Sequence, residues 1–444
     1  MTESAPVYIV GGGWTGLSAA IELCRKKIPV TLIESGKQLG GKTRRVSFDG
    51  KPVDQSQIML FGGYQNILRL FRTLKIQENQ DYERVPFDLI LRRKRKTKFR
   101  FRHFRLPAPY GIRAAMYLAR GMPMQDKIRS LRLIDKIRRQ QINLTEDISV
   151  AEFLMQQGQR DRVTRFFWRP LCRMFLHADV SHASAALFME MVTWLFLADP
   201  DNSEVLLLHQ DLSTTFSDRA MDYIEQKGGT IKLGHEVTAL NISKKAVSGI
   251  QTDDAAFTAS RVILAAAREA TQRLLEPHRD LLNTTQCLQH LDYANFVTVY
   301  LQFPRETTLP TYFLHTLGTL GHCLIDKRMQ HNPGMMAVTI LEKPQVPLPE
   351  DEKIVEEICA QLSILFPHWK SSLSWQVVRA PEAVLSCTVD TGKALAAPSD
   401  GISGLWVAGD FVRAPMLPSL ESAVYNGRNC ARRIIEELSG QTGI

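Results

Sequence analysis

The stretch that most restricts this chain lies at its start. "VYIV", residues 7–10, runs straight into "GGGWTGLSAAIELCRKK" and then into "PVTLIES", which ends at residue 35. A short apolar strand, a glycine-rich turn, a helix and a second strand in that order specify a βαβ unit. The glycines at 11, 13 and 16 stand in G-x-G-x-x-G spacing, and each has its own task. Gly11 permits the tight turn, Gly13 lets the backbone approach a pyrophosphate, and Gly16 lets the helix lie close on the sheet. Trp14 and Thr15 open the helix, whose free N–H groups and positive dipole end then face phosphate oxygens. Glu34 ends the second strand, 18 residues after Gly16 and just before Ser35. A carboxylate there accepts hydrogen bonds from a ribose hydroxyl. The expectation is a dinucleotide site.

Two more segments, about 205–270 and 386–444, have the same alternation of apolar strand and helix. At 444 residues the chain can hold two or three cores. The simplest arrangement is an α/β, Rossmann-like domain of residues 1–60, 205–270 and 386–444. It is interrupted by a mixed α+β substrate domain of residues 61–204 and 271–385. The seven cysteines are scattered, at 24, 172, 287, 323, 359, 387 and 430, with no C-x-x-C pair. That argues against a disulfide framework or a zinc site and for a reducing compartment. No basic leader precedes the first strand, so a cytoplasmic chain is expected. The longest apolar stretch, residues 183–198, spans 16 residues and is interrupted by Glu190. A membrane span needs about 20, so this stretch reads as a buried or interfacial helix.

Which dinucleotide follows from three later signals. After Glu34 comes "SGKQLGGKTRRV", where Gly40 and Gly41 precede Lys42, Arg44 and Arg45; that cluster suits a second approach to the pyrophosphate. Val237 opens a strand at a position from which flavoproteins hold adenine by backbone atoms. Far downstream, "GLWVAGDFVRAPMLPSLESAV" ends a strand at Gly409 and Asp410 and starts a helix near Pro418, Ser419 and Leu420. The positive end of that helix favours an anionic reduced flavin ring, and Asp410 suits ribityl or phosphate-linked groups. These signals point to FAD.

Taken together, "VGGGWTGLSAAIEL", "VDQSQIMLFGGYQNILRLF", "WRPLCRMFLHADVSHASA", "DLSTTFSDRAMDYIEQKGGTIKLGHEV" and "GLWVAGDFVRAPMLPSLESAVYNG" resemble the amine oxidase and phytoene desaturase superfamily. Within it, the residues around Trp168, Pro170, Leu171 and Cys172 and around Asp211, Leu212 and Ser213 are most similar to hydroxysqualene dehydroxylases. These are also called squalene-associated FAD-dependent desaturases. The resemblance implies reductive dehydroxylation of hydroxysqualene to squalene, with hydride from reduced FAD and electrons from an unidentified donor. Such a reaction needs a proton donor for the leaving hydroxyl and an apolar or aromatic pocket for an allylic cation. Asp54, His177, Asp211 and Asp326 are the candidate donors or orienting groups. Tyr64, Phe175, Trp194 and Phe196 are candidate wall residues. A carotenoid-type desaturase, in which oxidised FAD accepts the hydride, and an amine oxidase-like flavoenzyme are the alternatives.

One feature remains: nine of the fourteen residues from 92 to 105 are Lys or Arg. From 92 to 139 there are 17 Lys and Arg against two acids, Asp126 and Asp135, in a chain whose net charge is +9. Basicity is therefore regional, which is thin support for nucleic-acid binding. The tract reads as a hairpin with Phe99 and Phe101 on one face, followed by basic amphipathic helices. Each Lys or Arg near anionic lipid contributes roughly 1 kcal/mol. A water-insoluble polyprenyl substrate has to be taken from a bilayer, so residues 92–139 are expected to dock on the inner face of the cell membrane.

Overall fold

The structure is a computed structural model that describes residues 5–93, 96–281, 284–316, 320–342, 348–397 and 401–441. Its first layer is a parallel sheet of five strands in the order Thr230–Leu233, Val30–Glu34, Val7–Val10, Val262–Leu264 and Leu405–Val407. Strands Val7–Val10, Val262–Leu264 and Leu405–Val407 are buried along their whole length, which is why they read as unbroken apolar runs. Helices Trp14–Arg25 and Leu420–Gln441 pack on each other beside this sheet. A Cβ on Gly16 would overlap the carbonyl oxygen of Gly11, so the close seat of the first helix depends on that glycine. A three-stranded antiparallel ribbon, Val237–Ser243, Ala246–Thr252 and Ala256–Thr258, is inserted before the fourth strand.

The second layer is a mixed sheet of seven strands. Their order is Ser374–Leu385, Tyr293–Gln302, Met335–Glu342, Cys323–Asp326, Phe313–Thr316, Asp88–Arg93 and Lys96–Arg102. All pairs are antiparallel except Phe313–Thr316 with Asp88–Arg93. The basic tract supplies the last two strands, which pair as a hairpin. Phe99 and Phe101 point inward from it and are fully buried, as the period of two requires. Lys94 and Arg95 lie outside the described residues. Part of the tract's charge is paired: Arg100 with Asp88 at 2.6 Å, Arg105 with Asp201 at 2.6 Å, and Arg113 with Asp135 at 3.0 Å.

Facing this sheet is helix Ala185–Phe196, the apolar stretch seen in the sequence. Ser184 caps its first turn by accepting from the Leu187 N–H at 3.1 Å, and Asp147 accepts from the Ala186 N–H at 3.0 Å. Leu187, Phe188, Met191, Val192 and Leu195 are buried in the core. Residues 186, 189, 190, 193 and 194, at helical spacing, form a separate face. No helix among the described residues is long and apolar enough to cross a membrane.

Candidate active site

One cavity of about 2160 Å³ runs between the two layers. At its parallel-sheet end the glycine turn behaves as its sequence requires. Gly11 has φ +106°, and a Cβ there would stand 2.5 Å from the Ala265 carbonyl oxygen. Gly13 is extended and bare on the cavity side: an added Cβ would meet only Gly41 Cα, at 3.9 Å. The helix after it has no side-chain cap and no acid in its first turn, leaving its N–H groups for a ligand. Glu34 lines the cavity and accepts from the N–H groups of Gly12 at 2.6 Å and Gly36 at 2.7 Å. Those bonds hold its carboxylate beside the turn.

The other predicted cofactor residues come to the same cavity. Ser35, Gly41, Lys42, Arg44, Val237, Gly409, Asp410, Pro418, Ser419 and Leu420 line it, as do Trp14 and Thr15. Lys42 Nζ stands 3.5 Å from an Asp410 oxygen and 4.5 Å above the Tyr293 ring, while the Tyr293 hydroxyl donates to Asp410 at 2.9 Å. Arg44 donates to Gln55 at 2.8 Å. Ser419 and Ser422 cap the second helix reciprocally. Glu421, in its first turn, accepts from the backbone N–H groups of Asn66 at 2.7 Å and Ile67 at 3.0 Å. Burial pushes the Glu421 carboxyl up to about 7 despite those donors. Two helix N-termini, a bare glycine turn and a ribose-facing carboxylate in one cavity fit FAD. Gly16 sits behind this wall, where it serves packing. Arg45 turns away, to Asp211 at 3.2 Å and to Thr214 and Asp218 at 2.6 Å each, so its expected contact with pyrophosphate is corrected. Side chains alternate across the extended chain, and only Arg44 faces the cavity.

Toward the other layer the cavity gains an aromatic wall. Four rings converge there: Phe61 with Tyr64 at 5.6 Å, Phe61 with Phe175 at 4.9 Å, Tyr64 with Trp194 at 5.7 Å, and Phe175 with Trp194 at 6.2 Å. Two single π-helical turns, Thr164–Trp168 and Cys172–Leu176, widen the backbone around Pro170. They bring Arg165, Arg173, Met174 and Phe175 to the cavity, and Arg169, in the turn between them, lines it too. Such turns are frequent at functional sites. His177 follows in a left-handed conformation, φ +50°. Phe196 does not join the rings. It packs on Phe101 at 5.7 Å, inside the core.

Of the four candidate proton donors, only His177 lines the cavity. Its Nδ1 lies 3.2 Å from the Leu385 carbonyl oxygen, and burial lowers its pKa, so the ring is held neutral. The expectation that the three aspartates reach substrate is corrected, because each is engaged elsewhere. Asp54 accepts from the Leu212 N–H at 2.6 Å and pairs with Lys327 at 3.5 Å. Asp211 accepts from the Thr214 N–H at 3.0 Å and holds Arg45. Asp326 accepts from the N–H groups of Leu309 at 2.9 Å and Arg328 at 3.0 Å. The missed cavity residues include Phe61 and Glu190. Glu190 had announced itself as the lone charge in an apolar helix, although the sequence alone does not say which face it occupies.

A sequence model of the family described as flavin containing amine oxidoreductase matches residues 14–435. The 15-cis-phytoene desaturase of Solanum lycopersicum is 24% identical over 464 residues, covering 98% of this chain and 78% of that protein. The zeta-carotene desaturase of a Synechocystis species is 22% identical, covering 97% of each. Among solved structures, an oxidoreductase from Methanosarcina mazei has the same fold, with a TM-score of 0.75 at 16% identity over 97% of this chain and 100% of that one.

Proposed function

The chain belongs to the flavin containing amine oxidoreductase family and is an FAD-dependent oxidoreductase, and on that premise we propose that it reduces hydroxysqualene to squalene, in service of squalene and hopanoid biosynthesis. The observation that carries this reading is the continuity of the cavity. The FAD end opens into a passage walled by Met59, Phe61, Tyr64, Met174, Phe175, Met189 and Trp194. A passage of that lining suits a long hydrocarbon and excludes water from the reaction. Reduced FAD, when bound, supplies hydride to carbon. The clustered rings offer their negative faces to an allylic cation developing on the chain. Relatives named for phytoene and zeta-carotene desaturation support a long polyprenyl substrate. They also favour a second reading, desaturation of a polyene with hydride passing to oxidised FAD.

Direction of electron flow separates the two. Chemically reduced enzyme mixed anaerobically with hydroxysqualene in detergent should reoxidise its flavin and yield squalene by mass spectrometry in a single turnover. Flavin that stays reduced over unchanged lipid would sink the dehydroxylase reading. Oxidised enzyme that bleaches with a longer polyene would install the desaturase in its place.

The reading includes peripheral attachment to the cytoplasmic face of an anionic membrane. Support comes from a cluster of outward apolar side chains: Leu106 is 44% exposed, Tyr110 63%, Tyr117 55%, Leu118 66% and Met124 52%. They occur among exposed Arg102, Arg120, Arg132 and Lys136. Ile137, Gln140, Ile142 and Asn143, where helix Met124–Arg138 ends, line the cavity, which supports a substrate route that opens within the same basic region. Enzyme with Tyr117→Ser and Leu118→Ser together should bind phosphatidylglycerol vesicles about 10²–10⁴-fold more weakly, since each side chain loses about 1.5–3 kcal/mol of burial. Wild-type binding should fall with added salt. Flotation of both proteins checks this, and equal flotation would argue against docking here.

A further inference from the structure

We propose that Glu190 is the group that protonates the leaving hydroxyl of the substrate; this rests on the dehydroxylase reading. Glu190 is the only ionisable residue of helix Ala185–Phe196. It lies on the helix face that lines the cavity, with Ala186, Met189, Thr193 and Trp194. Trp194 is one turn further on, and its ring stacks on Tyr64 at 5.7 Å, so the carboxyl stands within the aromatic part of the passage. Glu190 is exposed to the open cavity and has no ion pair or hydrogen-bond donor among the described residues. The protein around it raises its pKa. The fold thus places on the wall of the passage a carboxyl that holds its proton more readily than a free one.

Glu421, the other carboxyl of raised pKa in the cavity, is engaged by the N–H groups of Asn66 and Ile67, and four further titratable groups nearby are less suited. His177 is neutral, with Nδ1 against a backbone carbonyl. Arg169 and Arg173 are tied to Asp179 at 3.5 and 2.7 Å. Cys387, whose thiol feels the Glu190 charge, is pushed above its ordinary range by burial, too weak an acid to compete. In the proposed step the proton moves from Glu190 to the hydroxyl oxygen and the C–O bond breaks with its electron pair leaving on water. Reduced FAD, when bound, would supply the hydride that closes the C–H bond, and solvent would reprotonate the carboxylate afterwards. One hydroxysqualene and one reduced FAD give squalene, water and oxidised FAD, so the balance closes.

The test compares wild type, Glu190→Gln and Glu190→Asp, all loaded with FAD, in the anaerobic single-turnover reaction across pH. Wild-type rate should fall as pH rises through the raised Glu190 pKa, since only the neutral acid donates. Glu190→Gln should be slower by about 10²–10⁴-fold with that pH dependence gone, and Glu190→Asp should recover part of the rate. Difference infrared spectra supply a readout independent of turnover: the carbonyl stretch of a protonated carboxyl, present in wild type, should vanish in Glu190→Gln at unchanged flavin content. Wild type that turns over while Glu190→Gln matches its rate and pH profile overturns the inference alone. Wild type that is inert with hydroxysqualene overturns the parent reading, and this one with it.

Discussion

Replacing Gly13 by alanine should yield a folded, colourless protein, whereas replacing Gly16 by alanine should yield little folded protein at all. The two glycines stand three residues apart in one motif, yet they oppose different things. At Gly16 a methyl group would overlap the Gly11 carbonyl oxygen, backbone that cannot yield without lifting helix Trp14–Arg25 from the sheet. That helix carries Leu17, Ala20, Ile21 and Leu23 into the core, so the cost falls on the whole parallel layer. At Gly13 a methyl group would meet only Gly41 Cα at 3.9 Å, an ordinary contact, and the φ of −74° suits alanine. What the methyl group does occupy is the space into which the pyrophosphate must come. FAD affinity should therefore fall on the order of 100-fold, about 2.7 kcal/mol, with far-UV circular dichroism of the apoprotein unchanged. Visible absorbance after gel filtration, with the apoprotein's thermal midpoint as control, separates the cases. A yellow Gly13→Ala protein with wild-type flavin content would mean that the pyrophosphate does not lie over this turn.

The contrast shows why the cofactor end was legible in the sequence. Its parts are local: strand, turn, helix and carboxylate fall within residues 7–35, and a backbone cradle needs no distant partner to be recognised. The substrate end is assembled from residues 58–66, 165–177, 186–194, 315–316, 320–325 and 380–385, which are far apart in sequence and brought together by tertiary packing. Carboxylates are the natural candidates for acid chemistry, but Asp54, Asp211 and Asp326 are engaged by backbone N–H groups and cations that sequence spacing does not reveal. Glu190 was visible as an interruption. Its importance depended on which way one helix face turned, and an apolar run carries no such sign. Phe196, two residues beyond Trp194, illustrates the same limit: on a helix, neighbours two apart point in different directions.

Lys327→Met should destabilise the protein by about 3–5 kcal/mol. Lys327 and Asp54 are each 5% exposed and stand 3.5 Å apart. Around them, Lys327 donates to Gln57 at 2.9 Å, the Tyr300 hydroxyl donates to the Asp54 carbonyl oxygen at 2.6 Å, and the Leu212 N–H donates to the Asp54 carboxylate. The network joins strand Lys51–Asp54, the segment before helix Asp218–Gln226, and the seven-stranded sheet, and so fixes one layer against the other. Burial drives Asp54 up and Lys327 down, and each is countered by the other's charge. Without Lys327 the carboxyl keeps the full effect of burial. Its folded pKa then lies well above the unfolded value of about 3.9, so folding is favoured below that value and stability is lost as pH rises through the folded pKa. The deficit of Lys327→Met relative to wild type should accordingly shrink toward acid pH. Adding Asp54→Leu should restore most of the stability at neutral pH, because an apolar pair of similar volume replaces a buried ion pair at little cost. Urea unfolding of the three FAD-loaded proteins at matched flavin occupancy measures the cycle. A Lys327→Met deficit under about 1 kcal/mol, or a double variant no better than the single, would place the junction between the layers in the surrounding apolar packing of Phe48, Val53 and Tyr300.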